Sequence, residues 1–473
     1  MVPKATTGIL NRRVKAGTKN LSPSGGRLVA FTKGFLLALL VAVVAGGAAL
    51  AQQDNGTAAP PAVTVPDTIR VGLTYGVPTV TVSGPQGLTI LDLFTAKLVG
   101  TVPAGTSEVI SAATGQLTVG DLGSTPGPVL IQPAVEGAPV ALGNRMYRGT
   151  LEVQLAADGT LTCINTLPLE QYLYGVVPAE MPANWPLAAL EAQAVAARTY
   201  AVYTAASSRF GSLGFDISAG QESQVYGGLA VENPNSSQAV DATRGQIMLY
   251  NGQPILAAFH AASGGHTENS ENVWGSYVPY LRGVVDYDQD SPYNNWVVTV
   301  PVDQADQTLQ AANLDIGQLI GVQSLATGVS GRQVTLRLDG TNGSVTVKGE
   351  TFRQLFHLRS TLFNVEELDP SISPVVMTLP AGGVAAMAAT GPGQLDLGGA
   401  LAVDATGLLY RVAGNNAVSI QSLPGRLQIS GRGWGHGLGL SQWGARGMAL
   451  QGYDYRAILT HYYTGVSIQG PQG

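Results

Sequence analysis

The 473-residue sequence predicts an α+β protein, rich in short strands and containing a few helices, and three observations carry that expectation. Charged residues make up only 12% of the chain while glycine reaches 61 and proline 27, a balance that suits strands joined by turns. Short β-branched runs bounded by Gly, Pro and Asn recur through most of its length. Apolar residues at helical spacing are concentrated in a few places, chiefly between Pro168 and Ala205.

In chain order, residues 1–51 join a basic stretch free of acids to an apolar run from Phe35 to Ala51 that ends in Ala49-Leu50-Ala51. This reads as a secretory signal peptide, the alternative being an uncleaved membrane anchor. The rest is then exported to the cell envelope, with membrane contact only through this segment. The net charge of −6 includes that basic leader, so the exported part is more acidic still and repels nucleic acid. Cys163 is the only cysteine, which excludes an intramolecular disulfide and a Cys-pair zinc site.

Residues 52–67 are polar and Pro-rich and read as a linker. Residues 68–145 alternate runs such as "TIRVGL", "TVTVSG" and "LTILDL" with turns, predicting a β-rich module. Two helices follow: "PLEQYLYGVV" puts Leu169, Tyr172, Leu173, Val176 and Val177 on one face, and an Ala/Leu-rich helix starts at Pro186. From Asp241 to Glu366 strands return ("GQIMLY", "PILAAFH", "NWVVTV", "QVTLRL", "SVTVKG"), with a short helix at "TFRQLF". Residues 370–428, low in charge and differently patterned, read as a small β insertion. "DYRAILTHYYTG" predicts a last helix capped by Asp454 and stopped near Gly465.

Three stretches carry candidate chemistry. In "GWGHGLGLSQWGARG", glycine occupies alternate positions from Gly433 to Gly439, but neither dinucleotide nor phosphate-loop spacing fits. A backbone bare on one face admits either a flat ligand or another backbone packed tightly against it. Ser263 lies in an A-x-S-x-G frame, yet a nucleophile elbow needs a helix after the turn, and "TENSENVWGSYVP" lacks an amphipathic pattern. His260 and His266 have too few neighbouring ligands to argue for a metal. In "PAEMP", Glu180 lies between Pro178 and Pro182, on a loop expected to be stiff, beside Met181 and Trp185. Apolar neighbours raise a carboxyl's pKa, as general acid catalysis requires, although the helix starting at Pro186 presents a positive end that favours the anion.

Six ordered blocks, among them "LPLEQYLYGVVPAEMPANWPLAALEAQAVAARTYAVY", "SQVYGG", "PILAAFHAASGGHTENSENVW" and "GRGWGHGLGLSQWGARGMALQGYDYRAILTHYYTG", resemble the SpoIID/LytB family of bacterial sporulation and cell-wall proteins. The resemblance runs from about Met146 to Ile468, interrupted at 370–428. It implies a SpoIID-type catalytic domain over 146–473 and a lytic transglycosylase that cleaves peptidoglycan glycan strands between N-acetylmuramic acid and N-acetylglucosamine, leaving 1,6-anhydro ends. It also implies Glu180 as the single catalytic acid, Arg198 of "AARTYA" as the active-site arginine, and substrate contacts from Gln224, Tyr226, His260, Ser263, Gly264 and Gly265. No cofactor or metal is expected, since the cysteines with which some members bind zinc are absent here. On this reading the bare glycine face is cleft floor, His436 and Gln442 bond sugar hydroxyls and acetamides, and Trp434 or Trp443 stacks on a ring. The alternative that the family offers is a non-catalytic glycan binder that enhances a cell-wall amidase.

Overall fold

The computed structural model describes residues 65–367, apart from residue 114, and residues 425–470; within 368–424 it describes only the backbone of short strands between Val375 and Ser419. The leader, most of the linker and most of the insertion therefore lie outside the described residues. The fold is α+β, with several sheets and eight α-helices among the described residues.

Seven strands form the main sheet, in the spatial order Ile217–Ser218, Thr68–Val77, Leu161–Pro168, Thr150–Leu155, Val129–Pro133, Leu88–Asp92 and Leu98–Val102. Six more strands, from Thr79–Ser83 to Arg145–Tyr147, form a second sheet. Alternate residues point inward, so Val80 and Val82 of one sheet share a core with Ile90, Val129, Ile131, Leu151 and Val153 of the other. The boundary expected at 145/146 falls inside this sheet. Thr68–Val77 runs antiparallel to Leu161–Pro168, pairing Thr68 with Pro168 and Thr74 with Cys163, and Val129–Pro133 pairs with Thr150–Leu155.

Helix α1 (Leu169–Glu180) follows directly from Leu161–Pro168 and buries the expected apolar face: Leu169, Tyr172, Leu173, Val176 and Val177. It runs further than expected, through Pro178 to Glu180. Proline this close to a helix end loses one backbone bond and is tolerated, and Met181 N–H closes the turn on Val177 O. Helix α2 (Leu187–Ser207) is buried on nearly every side, which its run of alanines permits by letting neighbours approach closely.

A second core forms around Trp296, Leu309, Leu336, Phe352 and Ile429. Here Phe363–Glu367 and Arg426–Gly431 pair antiparallel, Phe363 opposite Gly431 and Glu367 opposite Leu427, so the segment between them is the connection of one strand pair. Residues 426–428, which the sequence pattern groups with residues 370–425, belong to the second of these strands. The glycine-rich stretch then reaches the first core. Phe259–His260 pairs parallel with Leu440–Ser441, and single bridges join Ala262 to Trp434 and Ser360 to Gly435.

Candidate active site

Glu180 is the last residue of α1, not part of a loop as expected; Met181 after it is extended (φ −136°, ψ 133°), as a residue preceding proline prefers. The side chain is half-buried, and its Oε1 accepts a hydrogen bond from Val225 N–H at 2.7 Å. Burial pushes its carboxyl above the usual range, and the Val225 bond opposes this in part. Because α1 ends here, its partial negative charge also disfavours the anion. No cation pairs with Glu180 among the described residues. A carboxyl so placed holds its proton more readily than a free glutamic acid does, as a group that gives a proton and takes one back must.

Neighbouring elements hold that geometry. Gln224 is fully buried and donates from Nε2 to Ala197 O of α2 at 3.0 Å, which fixes the peptide that offers Val225 N–H. Trp185, folded back by its own N–H to Pro182 O, meets Trp443 edge to face with ring centroids 4.8 Å apart. Arg446 lies 5.9 Å and 5.3 Å from the two rings. Gln442 is buried and contacts Gln193 Oε1 at 3.4 Å.

The structure does not bring Arg198 to this surface. It is fully buried, its Nε and Nη2 grip Glu170 of α1 at 2.9 and 2.6 Å, and Nη1 and Nη2 reach the carbonyls of Gln246 and Val240. It ties α1 to α2 and cannot touch a substrate. Tyr226 likewise lies in the core, its hydroxyl on Asn165 Oδ1 at 3.1 Å.

The four alternate glycines all have positive φ: 77° at Gly433, 111° at Gly435, 82° at Gly437 and 65° at Gly439. A Cβ at each would collide with the protein itself, meeting Ala262 O at Gly433, His260 Cβ at Gly435, the Arg332 guanidinium at Gly437 and Ala258 O at Gly439. The bare face is therefore a packing surface, and the expectation that it floors a cleft is corrected. Sequence alternation revealed the missing side chains but not what occupies the space.

His260 and Ser263 are buried in the same region. His260 Nδ1 faces Leu438 O at 3.2 Å, and a carbonyl only accepts, so Nε2 accepts from Ser263 Oγ at 2.9 Å. This is the arrangement of a Ser–His dyad, but with Ser263 wholly enclosed it serves the fold. Burial, reinforced by His436 and Arg332, pushes His260 well down and keeps it neutral. Half-buried His436 accepts from Leu438 N–H at 3.0 Å; burial and the charges of Arg332 and Arg353 push it down to about 3. Gly264 N–H donates to Asp288 at 2.7 Å, Gly265 O accepts from Asp286 N–H at 3.0 Å, and His266 donates to Thr267 O at 2.6 Å.

Beneath this turn lies a charge network that the sequence did not announce. Arg332, 1% exposed, donates to Ser263 O at 2.8 Å and has Asp286, Asp288 and Glu268 as the carboxylates that sustain its charge. Burial beside Asp286 raises Asp288 to about 6, while Tyr462 donates to Asp286 at 2.5 Å. Their separation in sequence leaves no local pattern to read. Among the described residues no group of three or more His, Cys, Asp or Glu could hold a metal ion.

Glu180 is thus a half-buried acid at a helix end in a mixed α+β fold, and the comparisons with known proteins say which family has this frame. The SpoIID family, described as Stage II sporulation protein, matches residues 157–250, which contain Glu180, Arg198 and Gln224. Stage II sporulation protein D of Bacillus subtilis is 30% identical over 322 residues, 64% of this chain and 75% of that protein. An uncharacterised protein of Brachyspira hyodysenteriae is 31% identical over 322 residues, 68% of this chain and 72% of its own. The Amidase enhancer of Bacillus subtilis is 31% identical over 304 residues, 63% of this chain but 40% of that protein. The chain belongs to the SpoIID family, and its role is related to the bacterial cell wall.

Proposed function

We propose that this protein is an exported lytic transglycosylase of the cell envelope that cleaves peptidoglycan glycan strands, with Glu180 as its single catalytic acid. The observation that carries this is the carboxyl of Glu180: raised by burial, unpaired with any cation among the described residues, and held at one oxygen by Val225 N–H. With Oε1 so engaged, Oε2 is the oxygen that carries the proton. Glu180 gives that proton to the glycosidic oxygen as the C1–O bond of N-acetylmuramic acid breaks. As carboxylate it then takes the proton of the sugar's own C6 hydroxyl, whose oxygen bonds C1. The acid is regenerated and no water is consumed, so one carboxylate suffices where a hydrolase uses two. Arg198 contributes by pinning α1 through Glu170 and so positions Glu180.

The similarity to a protein named Amidase enhancer supports a second reading, a glycan binder that assists a cell-wall amidase as partner. The two separate at one residue. Purified protein incubated with peptidoglycan should release 1,6-anhydro ends, and Glu180→Gln should release none while sedimenting with glycan as the parent does. Equal amidase stimulation by both forms, with no anhydro product from either, would favour the second reading.

A further inference from the structure

Trp434 is 44% exposed, next to the buried Gly433. Tyr293 stands edge-on to it, ring centroids 4.6 Å apart, and Arg359 lies over both, 5.4 Å from the Trp434 ring and 5.7 Å from Tyr293. Backbone rungs lock the group together: Gly433 N–H donates to Tyr293 O, Trp434 N–H to Ala262 O and Gly435 N–H to Arg359 O, each at 2.8 Å. Arg432 adjoins them, exposed, with its carbonyl held by Ser360 Oγ at 2.5 Å. Neither Arg359 nor Arg432 has a carboxylate partner among the described residues, in a chain of net charge −6. A guanidinium over an exposed indole, with a second exposed arginine two residues before that indole in the chain and neither matched by a carboxylate among the described residues, suits an anion that also offers a flat apolar face.

We propose that Trp434, Tyr293, Arg359 and Arg432 form a subsite for an acidic sugar, the ring lying on Trp434 and a carboxylate borne by that same ring meeting Arg359 and Arg432. Arg359 reaches over the indole, so the anion it meets is one carried by the stacked sugar itself, as the lactyl ether of a muramyl residue is. The proposal rests on the reading that the ligand is cell-wall glycan, and adds where the strand is gripped.

The test uses peptide-stripped glycan strands, native or with their carboxylates amidated by carbodiimide and ethanolamine. Wild-type protein should bind amidated strands more weakly than native ones, by roughly tenfold or more as expected for losing charge-assisted hydrogen bonds. Arg359→Gln/Arg432→Gln, both exposed positions, should bind the two forms equally and with a smaller salt dependence. Trp434→Ala should weaken binding to both forms. Wild-type binding indifferent to amidation, or a double variant that discriminates as wild type does, would overturn the subsite. Release of anhydro ends from the native strands is scored alongside. Cleavage with binding indifferent to amidation sinks the subsite alone, whereas carboxylate-dependent binding without cleavage supports the subsite and sinks the role given to Glu180.

Discussion

Replacing Gly439 by alanine separates the packing role of the glycine row from a ligand-binding one. Its φ is 65°, where an L side chain costs about 1–2 kcal/mol. The new methyl would also press on Ala258 O, a backbone atom of the segment leading into Phe259–His260, so no side chain can swing aside, and overpacking adds about 1–3 kcal/mol. Together these predict a loss of about 2–5 kcal/mol, or a fall in Tm of roughly 5–15 °C. Gly105→Ala is the control: φ is 75° but no atom lies within 4 Å of the added Cβ, so only the conformational cost of about 1–2 kcal/mol applies. Denaturant melts of both variants, with glycan sedimentation at a temperature where each is folded, make the comparison. Normal stability of Gly439→Ala with glycan binding lost would refute the packing account and restore the glycines to a cleft floor.

Other outcomes follow from the same contacts. Glu180 has its pKa raised in the fold, so its contribution to stability is complete at low pH and lost as pH rises through the folded value; activity as an acid falls in the same direction. Glu180→Gln should therefore be inactive yet at least as stable as the parent at pH 8, and a large fall in Tm there would contradict the assignment. Arg198→Met leaves Glu170 without its counter-ion, with Gly245 N–H still on Oε1, and should cost about 3–5 kcal/mol in a denaturant melt, while Glu170→Gln/Arg198→Met recovers part of it; a stable Arg198→Met with a raised KM alone would mean that Arg198 meets substrate. Both ring nitrogens of His260 are already bonded, so dialysis against a chelator should leave anhydro release unchanged, and stoichiometric metal whose removal abolishes release would reverse that expectation.

What could be read ahead of the structure was local. The apolar face of α1, the start of α2 at Pro186 and the cap at Asp454, which accepts Ala457 N–H at 2.8 Å, all follow from neighbours in sequence. The helix Pro234–Ala242 is signalled locally by Asn233, whose side chain accepts Asn235 N–H, and by Pro234 in its first turn. The helix Gln442–Leu450 was masked by Gly444 and Gly447, which weaken helix propensity; Gly444 is needed because Asp286 and Tyr462 fill the space of a side chain. Glu180 stood out by its flanking prolines, whereas its bond to Val225 and the pairing of Arg198 with Glu170 join distant segments and leave no periodic trace. The same holds for the strand Thr68–Val77, whose partner Leu161–Pro168 lies beyond the boundary that composition suggested.

The most direct test of single-acid chemistry is digestion of purified glycan in water enriched in heavy oxygen, with mass spectrometry of the new ends. Closure by the C6 hydroxyl predicts anhydro ends without label, produced by the wild type and absent with Glu180→Gln. Reducing ends that carry the heavy oxygen would show water as the attacking group and contradict the account.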